Sequence, residues 1–87
     1  MRIADSVAWT DNGGRVVVLD LAEPASAPIA LEASAASIWH EIAGRDDIRI
    51  DALLTSLASA FETTESEIRQ DVETVVARLV ESRLLVP

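Results

Sequence analysis

The chain has 87 residues, a formal net charge of −8, an apolar share of 49% and no cysteine. That length suits one small domain, and the apolar share argues against disorder. The missing thiol excludes disulfides, thiolate nucleophiles and sulfur-held metals, and the acidic balance lacks the basic footprint with which nucleic-acid binders neutralise phosphates.

Val7–Thr10 reads as a first strand. Asp11-Asn12-Gly13-Gly14 follows as a turn, because these residues tolerate positive φ at little cost. Arg15–Leu21 (RVVVLDL) is a β-branched second strand that completes a hairpin. It is apolar on both faces around Val16–Leu19, so cover is expected on each face. Ala22–Ala27 is a loop, punctuated by Pro24 and Pro28. Pro28 cannot donate to a ladder and suits the start of an edge strand, which Ile29–Leu31 would form.

Three helices follow. Ala33–Ala43 carries Ala35, Ile38, Trp39 and Ile42 at helical spacing, and Gly44 stands where a C′ glycine ends a helix. The second helix runs from Ile50 or Asp51 to Phe61, with Leu53, Leu57 and Phe61 on one face and Leu54 and Ala58 beside it. Thr64-Glu65-Ser66-Glu67 has the capping-box pattern. The third helix continues to about Ser82 with a broad stripe of Ile68, Val72, Val75, Val76, Leu79 and Val80. Leu84–Val86 should tuck against the fold. The expected class is α+β: a three-stranded antiparallel sheet followed by three helices, winged-helix-turn-helix-like, in a single domain over 1–87.

Little in the chain is suited to catalysis. His40 is the only histidine and falls off the core stripe, without the convergent ligands that a metal needs. Asp46-Asp47 reads as a solvated pair near the start of the second helix, and Glu62, Glu65 and Glu67 surround a helix N-terminus, where negative charge is favoured. No phosphate-cradling glycine motif and no calcium loop is present. The expectation is a non-enzyme with no metal and no cofactor. No apolar stretch approaches the roughly 20 residues of a membrane helix, and MRIADSVAW lacks the apolar run of a signal peptide. A cytoplasmic protein that meets neither membrane nor nucleic acid is expected. The second and third helices also fit a helix-turn-helix, but Glu65, Glu67, Asp71 and Glu73 on the third would face phosphates.

The strand edge is the remaining signal. Edge strands are usually guarded by Lys, inward charge or a bulge, and Ile29-Ala30-Leu31 has none of these. Such an edge is either covered by the protein's own third helix or a second copy, or it accepts a peptide as an added strand.

Leu31-Glu32-Ala33-Ser34-Ala35-Ala36-Ser37-Ile38-Trp39 through Gly44 resembles the LN-x-x-A-x-x-IW-x-x-x-x-G segment of PqqD-like proteins. Leu53, Leu57 and Phe61 resemble their second-helix pattern. Asp71-Val72, Val75-Val76, Leu79 and Leu84-Leu85-Val86 resemble DV-x-x-FL-x-x-L-x-x-x-GLV. The match runs from about Val16 to the C-terminus, with Glu32, Val75 and Arg83 standing where the family often has Asn, Phe and Gly.

The resemblance implies a RiPP recognition element, a small domain that binds the leader of a ribosomally synthesised precursor peptide. The leader adds to the third strand and lies beside the third helix, where it is presented to a separate enzyme. The chain's length resembles the stand-alone recognition protein of lasso-peptide systems, whose partners are a leader peptidase and a cyclase. A PqqD-type chaperone for a radical SAM enzyme and a winged-helix DNA-binding regulator are the alternatives. The expected peptide-binding residues are Pro28, Ile29, Ala30, Leu31, Asp71, Val72, Val75, Val76 and Leu79, some of the helical ones serving the core instead.

Overall fold

The computed structural model describes residues 1–23 and 25–87. The expectation for Pro24 lies outside them. The elements run β1 (Arg2–Ile3), β2 (Val7–Asp11), β3 (Val16–Asp20), β4 (Ile29–Leu31), α1 (Ala33–Ala43), α2 (Ile50–Ala60), α3 (Glu65–Glu81) and β5 (Leu85–Val86). The class is α+β, as expected from the sequence.

β2, β3 and β4 form an antiparallel sheet with β3 in the centre. The β2–β3 turn is held by its own polar groups. The Gly14 N–H donates to Asp11 Oδ1 at 2.9 Å and the Asn12 N–H to the Arg15 carbonyl at 2.8 Å. Gly13 and Gly14 have φ of 70° and 88°, a region that glycine enters freely. β4 registers on β3 as Val16↔Leu31, Val17↔Ala30 and Val18↔Ile29. Successive strand residues face opposite ways, so Val16, Val18 and Asp20 are buried while Val17 and Leu19 stay half-buried. The expected cover on both faces is therefore corrected: the outer face of β3 meets only a shallow depression lined by Ala8, Trp9, Thr10, Val17, Leu19 and Pro28.

A second, two-stranded sheet pairs β1 with β5 through Arg2↔Val86 and Ile3↔Leu85. It secures the expected terminal segment, with Leu84 and Leu85 buried.

One core cluster joins sheet and helices: Val16, Val18 and Leu31 from the sheet, Ile38, Trp39 and Ile42 from α1, Leu53, Leu54 and Leu57 from α2, and Val72 and Leu79 from α3. Fully burying such a side chain contributes about 1.5–3 kcal/mol. Trp39 is wholly buried at the centre.

The helix ends differ from expectation in three places. Phe61 is 45% exposed, because α2 stops at Ala60 and Glu62 turns into the left-handed region at φ 53°. Gly44 caps α1 at φ −75°, an ordinary right-handed conformation that needs no glycine. Thr64 is the N-cap of α3, yet its hydroxyl meets Ser66 Oγ rather than a helix amide, and Thr63 Oγ1 donates to the Glu67 carboxylate. The reciprocal capping box is thus replaced by a contact one residue earlier. In the α1–α2 loop the expected acidic pair splits its roles. Asp46 is exposed, while the Met1 ammonium donates to Asp47 Oδ1 at 2.6 Å. That hydrogen bond, with the ammonium's charge, holds the Asp47 carboxyl below its usual range.

Candidate functional site

β4 is an edge strand with β3 on one side only. Among the described residues, the backbone of Ile29, Ala30 and Leu31 bonds to no element besides β3. In an antiparallel pair, alternate residues turn both backbone groups away from the partner. The outward groups of β4 are therefore free to join a further strand.

A groove of about 330 Å³ runs beside this edge. Its floor and walls are Ile29, Ala30 and Leu31 from β4, Ala35 from α1, and Val75 and Leu79 from α3. Ile29 is 37% exposed and faces the groove because its register partner, Val18, points into the core. Three polar residues rim the apolar surface: Glu32, Arg78 and Ser82. The Glu32 carboxylate lies 3.4 Å from Arg15 Nε. A second depression, of about 320 Å³, meets the groove at Ile29 and Ser82 and continues past Ala27 and Ser26 to Leu84, Val18 and Asp20.

Five of the nine residues expected at the site line the groove: Ile29, Ala30, Leu31, Val75 and Leu79. The other four lie elsewhere. Val72 is in the core, Val76 packs half-buried against it, and Asp71 is exposed on α3 outside the groove. Pro28 borders the depression on the outer face of the sheet. The expected binding residues did not include Glu32, which the sequence marks only as a departure from the family pattern, nor Ala35, Arg78 and Ser82. The available signal was helical geometry: Arg78 follows Val75 by three residues and Ser82 by seven, so all three share a face of the helix line.

A slightly larger hollow, about 390 Å³, sits between α1 and α2 and is lined by Ser37, His40, Glu41, Gly44, Arg45, Leu57, Ala60 and Phe61. No strand edge borders it, so its size alone does not make it a peptide site. His40 there is exposed, and its Nε2 lies 2.7 Å from Asp11 Oδ2. Among the described residues, no group of three or more His, Cys, Asp or Glu side chains could hold a metal ion, and no helix is long and apolar enough to cross a membrane.

The sequence profile of the family described as coenzyme PQQ synthesis protein D (PqqD) matches residues 15–85. The stretch contains β4, α1 and α3, and hence the whole groove. Among solved structures, one described as TbiB1 in complex with the TbiA(beta) leader peptide superposes with a TM-score of 0.81. It shares 20% identity, with 98% of this chain and 94% of that chain covered, a likeness that establishes the common fold. Comparison with curated proteins yields no match.

Proposed function

The chain belongs to the PqqD family, and from that premise we propose that it is a non-catalytic binder of a precursor's leader peptide. The leader adds as a strand to β4 and lies along α3, and the bound precursor is presented to a separate leader peptidase, cyclase or other modifying enzyme in the cytoplasm. The observation that carries this reading is the conjunction of an open strand edge with an apolar groove beside it. Backbone bonds to the edge supply affinity for any extended chain, and the pockets between Ile29, Leu31, Val75 and Leu79 select side chains. The shared fold with TbiB1, described in complex with a leader peptide, supports it. Ordering a flexible leader costs free energy, so affinity depends on anchors that fill the pockets. Once bound, the precursor's core is held at high local concentration beside the enzyme.

The DNA-binding alternative has the helix-turn-helix outline, but Glu65, Glu67, Asp71 and Glu73 are all exposed on α3 and repel a phosphate backbone.

The test is a fluorescence-anisotropy titration with the leader of a short precursor encoded beside this protein's gene. Saturable binding with weak salt dependence is expected. Absence of binding at high micromolar concentration overturns the reading.

A further inference from the structure

We propose that the groove reads charge as well as shape. It selects an extended peptide carrying a carboxylate against Arg78 and, on the same face, a basic side chain against Asp20. The inference rests on the leader-binding reading and specifies what such a peptide presents.

Two charged groups carry it, one in the groove and one in the depression that adjoins it. Arg2, Arg15, Arg45, Arg69 and Arg83 each lie 3.0–3.9 Å from a carboxylate. Arg49 and Arg78 have no such partner among the described residues, although the chain holds 15 acids against 7 arginines, and of the two only Arg78 lines the groove. Its surroundings in the groove are apolar except for Ser82 and Glu32, and Glu32 is engaged by Arg15. The last turn of α3 favours a cation, which accounts for a positive charge at this position but supplies it with no anion. A carboxylate entering the groove meets this guanidinium at an apolar wall, where a charge-assisted hydrogen bond is stronger than in open water.

Asp20 is 8% exposed and lines the second depression. Ser6 Oγ and the Ala22 N–H both donate to its Oδ1, at 2.9 and 3.0 Å. Its Oδ2 has no hydrogen-bond partner among the described residues, and no cation lies beside it. A carboxylate oxygen left without a partner beside the depression accepts a charge-assisted hydrogen bond from a cation that reaches it. The two depressions meet at Ile29 and Ser82, so one extended chain along β4 passes both. Side chains on one face of that chain recur every second residue, about 7 Å apart. The acid and the base are therefore an even number of residues apart, and their order reports the direction of the added strand.

The test is a display library of randomised peptides, about ten residues long, selected against the full chain. Enriched peptides are expected to share Asp or Glu two or four positions from Lys or Arg. Arg78→Glu should exchange the acid for a base at that position, with about a three- to tenfold loss in affinity for the peptides that the unaltered chain selects. Asp20→Asn should remove the basic preference, and thermal unfolding verifies that this variant folds. Arg78→Glu, exposed on the helix surface, decides alone if it does not. Enriched peptides without the charge pattern, or an unchanged set with Arg78→Glu, overturn the charge reading while leader binding stands. No enriched peptide at all overturns both.

Discussion

The indole of Trp9 meets that of Trp39 edge-on, with ring centroids 6.2 Å apart and planes inclined by 76°. The pair ties β2 to α1, and His40 packs on the same Trp9 ring at 5.6 Å. Trp39 is wholly buried, while Trp9 is 39% exposed. Trp39→Ala is expected to cost about 3–5 kcal/mol, a large part of the roughly 4–13 kcal/mol available to a domain of this size. Trp9→Ala should cost about 1 kcal/mol, the scale of an exposed aromatic pair. Urea unfolding followed by circular dichroism separates the two.

Val75 and Val76 are neighbours on α3 with different duties. Val75 lines the groove, whereas Val76 packs beside the core. Val75→Glu should therefore reduce leader affinity about tenfold or more with the fold retained. Val76→Thr should lower thermal stability and leave affinity unchanged. Titration and a melting curve on each variant check the split, and equal effects on binding would displace α3 from the site.

Strand addition makes a positional prediction on the peptide itself. N-methylating successive backbone amides of the leader should weaken binding about tenfold at every second position of the paired segment. A lost backbone bond with a stranded carbonyl costs on the order of 1–3 kcal/mol, while the intervening amides point away. A uniform response along the segment would rule out a β-ladder.

Arg83 adopts φ 62° just after α3, where its N–H donates to the Val80 carbonyl and the Leu84 N–H to that of Leu79. Helix ends of this geometry favour glycine. Arg83→Gly should stabilise the protein by about 0.5–1 kcal/mol through relief of left-handed strain, since the exposed ion pair with Glu23 at 3.8 Å contributes little. Gly44→Ala should also be neutral to stabilising, because an added Cβ would rest 3.4 Å from the His40 carbonyl oxygen at an ordinary φ. Melting temperatures of both variants decide.

The order of the main sheet and helices was legible because each element is long enough to show its period. β1 and β5 were not, since two residues each cannot display alternation. The helical half of the site was half legible for a geometric reason. Val72, Val75, Val76 and Leu79 occupy one broad stripe, and periodicity does not say which neighbour each side of that stripe meets. Only the packing of α3 against α2, α1 and β5 sends Val72 inward and leaves Val75 facing the open groove beside β4. Arg78 escaped notice because a charge beside an apolar stripe reads from sequence as solvated surface. The family's glycine before the terminal leucines had pointed to Arg83, and the left-handed φ there gives that position its physical reason.

The central position of β3 has a consequence for exchange with solvent. Val16–Val18 has a ladder on both sides, so its amides should be the slowest in the sheet to take up deuterium. The outward amides of β4 should exchange within the dead time of a pulse while the groove is empty. When a strand docks, those same few amides become interior ones. Binding should be recorded as protection appearing over Ile29–Leu31 with little change in β3, a signature that distinguishes an added strand from a peptide resting on the helices alone.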